Sequence, residues 1–222
     1  MSDSPRDQLA AQLAEAVAGG LRHDLATQER ALLVVSGGST PVPFFHALSA
    51  VELPWARIDV TLADERWVAE KASDSNARLV REHLLQGPAA AASFVPLTSE
   101  AATPEQGAAE VAARLRPLAW PASVVILGMG GDGHTASLFP DSQELSLALA
   151  TAEPVVAVRT PGQPQPRITL SADRLHQARR HVLHLTGEEK RNVLARALTG
   201  DDSRELPIRA FLACPLVIYW AP

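Results

Sequence analysis

Apolar residues near the start of the chain recur at the spacing of an amphipathic helix. They occupy every fourth position, at Leu9, Leu13, Val17, Leu21 and Leu25. Residues four apart lie on one helical face, so this row would face a core. Ser4 followed by Pro5 is typical of a helix N-terminus, because serine caps the first free N–H groups and proline suits the first turn. We predict one long helix from Pro5, in which Gly19-Gly20 allows a bend.

Short apolar runs of strand length follow, and helical patterns separate most of them. Capping-box sequences at Thr103-Pro104-Glu105-Gln106 and Thr186-Gly187-Glu188-Glu189 predict two helix starts, and residues 75–85 predict a further helix. Alternating strands and helices indicate a three-layer, doubly wound α/β fold with a mostly parallel sheet, here as a single domain of residues 1–222. The predicted strands are residues 31–35, 58–63, 123–127, 155–158, 181–185 and 216–220.

Composition favours a soluble globular protein. Of the 222 residues, 46% are hydrophobic and 20% charged, and the mean hydropathy is +0.01, which excludes disorder, collagen-like repeats and coiled coil. The net charge of −5 argues against a nucleic-acid partner. No segment approaches the roughly 18 apolar residues of a membrane span, and residues 1–4 lead into the helix without an apolar signal.

Cys214 is the single cysteine. It allows neither an internal disulfide nor a cysteine-based zinc site, which suits a reducing cytoplasm. The histidines form no metal-ligand pattern, since His181 and His184 would face opposite sides of a strand. We therefore expect a cytoplasmic protein without a metal or cofactor.

In open α/β sheets, ligands bind beyond the carboxyl ends of the strands, so the turns there are the first places to look for a site. The first of them has two glycines that allow close backbone approach, and Thr40 could cap the next helix. Free N–H groups there would bind an anion, with phosphate the leading choice. An ordinary capped turn is the alternative; a Walker loop is excluded because no lysine follows. The turn reads Ser36-Gly37-Gly38-Ser39-Thr40-Pro41.

Three charged residues, Asp64-Glu65-Arg66, follow the second predicted strand. They could orient a sugar hydroxyl, take a proton or bind a phosphate, for which the arginine offers two parallel donors. A solvated loop is the alternative.

A glycine-rich turn after residues 123–127 carries an acid and an imidazole. It contains a Gly-x-Gly-x-x-Gly pattern, but a dinucleotide site is disfavoured because Glu153 precedes its strand instead of ending it, and Pro140 interrupts the expected helix. Clustered amides could instead stabilise an oxyanion beside Asp132 and His134. The turn reads Gly128-Met129-Gly130-Gly131-Asp132-Gly133-His134-Thr135.

Two cations lie near other predicted strand and helix ends. Lys190 falls in the first turn of the helix opened at Thr186, where it opposes the helix dipole unless an anion binds. Compensation by Glu188 and Glu189 is the alternative. Arg167 ends a proline-rich loop and is either a phosphate ligand or a surface charge.

Together these segments resemble the 6-phosphogluconolactonase family, in order and over nearly the whole chain. The resemblance implies the fold of glucosamine-6-phosphate deaminases and ribose-5-phosphate isomerases, and hydrolysis of 6-phosphogluconolactone to 6-phosphogluconate in the pentose phosphate pathway. The segments are residues 36–41, 64–66 with Val68, Ser75-Asn76, 128–140, 167–169 and 186–190.

For such a reaction we expect His134 to act as base and then acid, because an imidazole, with an ordinary pKa of about 6.5, can do both near neutrality. Asp132 would orient it, and Gly130 and Gly131 would supply oxyanion donors. Asp64 would bind sugar hydroxyls, and Arg66 would bind either the phosphate or the sugar ring. The 6-phosphate would be held by the amides of Ser36, Gly37, Gly38, Ser39 and Thr40 together with Arg167 and Lys190.

Two alternatives stay open. Glucosamine-6-phosphate deaminases carry a catalytic glutamate where this chain has Phe139, which cannot transfer protons, so the lactonase is favoured. A sugar-phosphate sensor related to transcription regulators would need a helix-turn-helix segment, for which the chain offers no clear place. We expect a monomer or a weak homodimer.

Overall fold

The computed structural model describes residues 4–222; the absence of a signal at residues 1–3 is a prediction that lies outside the described residues. The predicted first helix is α1 (Pro5–Leu25). The Ser4 hydroxyl accepts from the Asp7 N–H, and the Asp7 carboxylate accepts from the Ser4 N–H, which completes a capping box. The predicted apolar face is buried from Leu13 to Leu25.

Six parallel strands form the central sheet, in the order β4-β2-β1-β5-β8-β9. The two central strands, β1 and β5, are continuous apolar runs because both of their faces are covered. The predicted α/β class with a mostly parallel sheet is confirmed. The strands are β1 (Ala31–Val35), β2 (Ile58–Leu62), β4 (Ser93–Val95), β5 (Val124–Leu127), β8 (His181–Thr186) and β9 (Leu216–Ala221).

A second, antiparallel sheet of three strands was not predicted. It consists of β3 (Asp64–Arg66), β7 (Arg167–Leu170) and β6 (Val155–Val158), in that order. The predicted strand at residues 155–158 therefore exists but does not join the central sheet. Residues 64–66 form a strand and not the solvated loop given as the alternative, and Arg167, at the end of the proline-rich loop, is the first residue of β7. These strands are only three or four residues long, so a pattern within them is a weak signal, and their pairing partners fix their conformation.

Helices connect and cover the two sheets. Helix α1 packs on α2 and on strands β1 and β9, whereas α4 packs on β6 and β7 of the small sheet. Within residues 4–222, no helix has the length and apolar character needed to cross a membrane. The remaining helices are α2 (Val42–Ser49), α3 (Asn76–His83), α4 (Pro104–Leu115), α5 (Leu145–Ala150), α6 (Ala172–His176), α7 (Glu188–Ala197) and α8 (Arg209–Leu212), with 3-10 turns at Trp55–Arg57 and Gly87–Ala91.

Two of the three predicted threonine caps are wrong. Thr103 does cap α4, by accepting from the Gln106 N–H. Thr40 does not cap α2, whose N-cap is Pro41. Thr186 does not cap α7, because it is the last residue of β8, and Gly187, with a φ of +89°, turns the chain into the helix. The two threonines instead face each other, with 3.4 Å between their hydroxyl oxygens.

Candidate active site

One cavity of about 320 Å³ opens at the carboxyl ends of β1, β5 and β8. It brings together most of the residues selected from the sequence, although they come from five separate segments. Gly131 and Asp132 do not line it, and Asp132 instead touches a residue that does. The predicted site residues that line the cavity are Ser36, Gly37, Gly38, Ser39, Thr40, Asp64, Arg66, Gly130, His134, Arg167 and Lys190.

The imidazole of His134 is held by Asp132. Its Nδ1–H donates to Oδ1 of Asp132 at 2.5 Å, and the same oxygen accepts from the His134 backbone N–H at 3.1 Å. Burial acts to raise the pKa of Asp132, but the hydrogen bonds and charge of His134 outweigh it and lower the pKa to about 2. The carboxylate therefore stays ionised and fixes the tautomer, so that Nε2 is left free for proton transfer. Gly130 is required beside this pair because a Cβ there would collide with the imidazole.

The Gly-Asp-Gly loop (residues 128–135) uses part of its backbone internally. The N–H of Gly130 donates to the carbonyl of His134 at 2.8 Å, so it is not available for an oxyanion as expected from the sequence. Among residues 4–222, the N–H groups of Met129 and Gly131 have no acceptor. Met129 also lines the cavity, which makes its amide the better-placed donor.

The Ser-Gly loop (residues 36–41) follows β1, is hydrogen-bonded to the end of β5 and leaves backbone amides free. The Ser36 hydroxyl donates to the Ile126 carbonyl at 3.0 Å and accepts from the Gly128 N–H at 3.3 Å, so it fixes the loop in place. Within the described chain, the N–H groups of residues 37–40 meet no acceptor. Free amides of this kind are suited to an anion. At Gly37 any Cβ would collide with the Asn76 side chain, so only glycine fits.

The three charges of β3 have different surroundings. Asp64 is buried at the cavity wall, where its Oδ2 accepts from the Ser137 hydroxyl at 2.5 Å and lies 3.5 Å from Nη1 of Arg167. Glu65 points away from the cavity and accepts from the N–H groups of Asn76 and Ala77 at the start of α3. Burial raises the pKa of Glu65, although those hydrogen bonds act to lower it. Glu65 is thus an anchor for α3, and not one of three charges acting together.

Arg167 is 9% exposed and has more than one partner. Its Nη2 donates to Oε1 of Gln163 at 3.0 Å, and its guanidinium carbon lies 5.1 Å from the centroid of the Phe139 ring. Burial lowers the pKa of Arg167. Arg66, opposite Arg167 in the β3–β7 ladder, donates from Nη1 to the Asp74 carbonyl at 2.6 Å. Both arginines therefore reach the cavity from the small sheet in fixed positions.

Lys190 reaches the cavity from the first turn of α7 and forms no ion pair within residues 4–222. Glu188 and Glu189, which the alternative from the sequence invoked, both lie in the first turn of α7; Glu188 pairs with Arg191 at 3.1 Å, and neither acid pairs with Lys190 within residues 4–222. The lysine ammonium is left to attract an anion beside the free amides of the Ser-Gly loop.

Sequence reasoning missed several lining residues. Asn76 and Thr186 could have been selected from their positions. Asn76 lies at the start of the helix predicted at residues 75–85, and Thr186 directly follows the strand predicted at residues 181–185. Ala136 carries no chemical signal in the sequence, and its φ of +49° is seen in the structure alone. His184 was dismissed because it did not pair with His181; the structure places it in the cavity wall. No group of three metal-ligating side chains is found in residues 4–222.

Comparisons with known proteins show the family to which the chain is similar. Residues 4–220 match the family model described as glucosamine-6-phosphate isomerases/6-phosphogluconolactonase. A 6-phosphogluconolactonase of Pseudomonas aeruginosa is 49% identical, over 95% of this chain and 89% of that protein. The crystal structure of a 6-phosphogluconolactonase from Shewanella baltica superposes with a TM-score of 0.97 at 45% identity, covering 100% of this chain and 96% of that one.

A structure of a monomeric glucosamine-6-phosphate deaminase matches with a TM-score of 0.76 at 17% identity, covering 99% of this chain and 95% of that chain. At that identity the likeness shows the shared fold alone. The resemblance drawn from the sequence motifs is confirmed: this chain belongs to the family of glucosamine-6-phosphate isomerases and 6-phosphogluconolactonases.

Proposed function

We propose that this enzyme hydrolyses 6-phospho-D-glucono-1,5-lactone to 6-phospho-D-gluconate. The observation that carries the proposal is the sharing of one cavity by an oriented imidazole, His134, and by a separate group of anion-binding elements. A phosphorylated cyclic ester needs both, because its carbonyl reacts while its phosphate positions it. The relatives named 6-phosphogluconolactonase support the choice of substrate.

In the proposed reaction, His134 Nε2 removes a proton from a water molecule as the water oxygen attacks the lactone carbonyl carbon. The carbonyl oxygen becomes an oxyanion, which the free N–H group of Met129 at the cavity wall would stabilise. When the tetrahedral intermediate collapses, the bond to the ring oxygen breaks and the imidazolium returns its proton to that oxygen. The product then carries a carboxyl group and a new hydroxyl, and His134 is neutral again.

Asp132 supports each half of this cycle. Its ionised carboxylate holds Nδ1 protonated and stabilises the imidazolium that forms when Nε2 takes the proton. No step of the scheme requires a metal or a cofactor.

The phosphate would bind at the other side of the cavity. We assign it to the free amides of residues 37–40 and to the ammonium of Lys190, which has no ion-pair partner within residues 4–222. Arg167 would add a buried donor, and Arg66 would serve either phosphate or sugar. Asp64, already bonded to Ser137, would orient a sugar hydroxyl through its other oxygen.

Deamination of glucosamine 6-phosphate is the competing reaction within the family. Phe139 occupies the position that the resemblance gives to a catalytic glutamate, and its ring lies against His134. A phenyl ring cannot carry a proton, so the lactonase is favoured. The single domain, the monomeric or weakly dimeric state and the cytoplasmic location stay predictions.

The proposal is tested by two assays on the same preparation. We expect release of acid from freshly prepared 6-phosphogluconolactone well above its spontaneous opening, and no ammonia from glucosamine 6-phosphate. Ammonia release without accelerated lactone opening would contradict the proposal.

A further inference from the structure

His184 differs from the other buried histidine of its strand in having no hydrogen-bond partner within residues 4–222. It is 5% exposed, and its Nδ1 is sealed from solvent without a hydrogen-bond partner. His181, three residues earlier and 6% exposed, has a partner, the Leu175 carbonyl, 3.0 Å from its Nε2. A buried polar group without a partner destabilises the fold, so native proteins rarely keep one without a use.

The position of His184 in β8 points to that use. Side chains two apart in a strand share a face, so His184 lies on the same face as Thr186, two residues before the carboxyl end of the strand. Thr186 faces Thr40 at the end of the Ser-Gly loop, with 3.4 Å between the hydroxyl oxygens. His184 also lines the cavity itself, together with that loop and Lys190.

The imidazole is held there by packing alone. Its ring stands edge-on to Phe44 of α2, with 6.1 Å between centroids and 76° between planes. Burial lowers the pKa of His184 to about 4, so near neutral pH the ring carries one N–H donor and no charge. A neutral donor in an anion site adds a directed hydrogen bond without changing the net charge of the site.

We propose that His184 is a phosphate-binding residue, whose imidazole N–H donates to an oxygen of the bound phosphate group from the floor of the cavity. This rests on the proposed function for the identity of the substrate, but the phosphate contact itself does not require that the reaction be lactone hydrolysis. Because Nδ1 is sealed from the cavity, the donor is Nε2–H, and Nδ1 carries no proton.

The test compares three variants of the full chain. His184→Phe keeps an aromatic ring against Phe44 and removes the donor; His184→Gln restores an N–H donor; and His181→Phe removes a histidine whose partner is a backbone carbonyl. We measure the Kd for inorganic phosphate and for 6-phosphogluconate by calorimetry, KM and kcat for 6-phosphogluconolactone, and Tm without ligand.

His184→Phe should raise both Kd values and KM about tenfold or more, as expected for one hydrogen bond to a charged group, and leave kcat within about twofold. Its Tm without ligand should equal or exceed that of the wild type, because an unpaired polar group is gone. His184→Gln should recover part of the affinity. His181→Phe should lower Tm and leave KM unchanged.

Unchanged phosphate and 6-phosphogluconate affinities in His184→Phe would overturn the inference, as would a wild type that does not bind inorganic phosphate. A fall in Tm matching that of His181→Phe, with KM retained, would mark His184 as structural. If the wild type binds phosphate through His184 but fails to hydrolyse the lactone, the proposed function fails and the phosphate contact stands.

Discussion

The phenyl ring of Phe139 lies against the imidazole of His134, with 4.3 Å between ring centroids and 39° between planes. The same ring is 5.1 Å from the guanidinium carbon of Arg167. One buried apolar side chain therefore contacts both the proposed proton-transfer group and a proposed phosphate ligand. The packing of Phe139 sets the distance between the proton-transfer group and this phosphate ligand. Phe139 also occupies the position at which the resemblance gives deaminases a catalytic glutamate.

Phe139→Ala should lower kcat/KM for the lactone by about tenfold or more, since small displacements of reacting groups are costly to rate. Phe139→Leu, which keeps most of the volume, should lose much less. Steady-state kinetics with the spontaneous reaction subtracted provide the measurement. Equal activity in Phe139→Ala and the wild type would show that this packing does not position the site.

Asp132→Asn should lower kcat about 10- to 100-fold and leave KM close to the wild-type value. An amide can hold His134 Nδ1 in the wrong tautomer and cannot stabilise an imidazolium. Asp141→Asn, an exposed acid near the same loop, serves as the control and should leave kcat unchanged. If Asp132→Asn kept full kcat, the carboxylate would have no part in orienting the base.

Lys190→Ala should chiefly raise KM for the phosphorylated lactone and reduce the preference over unphosphorylated gluconolactone. The loss should approach tenfold, since the ammonium faces the cavity without an ion-pair partner in residues 4–222. The matched control is Arg191→Ala, because Arg191 pairs with Glu188 and stacks on Trp220. Retained selectivity for the phosphorylated substrate in Lys190→Ala would place the phosphate elsewhere.

Acid should destabilise the fold through His184. Its pKa is about 4 in the folded chain and about 6.5 unfolded, so the unfolded state binds the proton first. Stability therefore falls as the pH drops from above 6.5 toward 4, by up to roughly 3 kcal/mol at the lower limit. Urea unfolding at pH 7.5 and pH 5 should show a smaller loss in His184→Phe than in the wild type. Identical losses would show that His184 does not contribute.

The sequence predicted elements whose signals are local. The Ser4 and Thr103 caps and the buried strands were found because capping and apolar patterns act within a few residues. The β3–β7 pairing was missed, because Asp64 and Thr169 meet across about a hundred residues, β3 contains no apolar residue, and the alternation of β7 covers only four residues. Thr186 was misassigned because a threonine before a helix looks alike whether it caps the helix or ends a strand.

The sequence predicted the polar residues of the candidate site but not the contacts around them. Strand-end logic selected His134, Lys190 and the Ser-Gly loop, since the carboxyl ends of parallel strands meet at one edge. The internal hydrogen bond of Gly130 depends on the conformation of its loop, and the unpartnered ring of His184 depends on tertiary contacts; a pattern of residue types contains neither.

The most direct test of the account is the hydrolysis rate of His134→Ala on freshly prepared 6-phosphogluconolactone, beside the exposed-histidine control His23→Ala. We predict that His134→Ala lowers kcat by about 100-fold or more and keeps the wild-type Kd for 6-phosphogluconate, because the imidazole moves protons and the phosphate binds elsewhere in the cavity. Wild-type kcat in His134→Ala would contradict the mechanism.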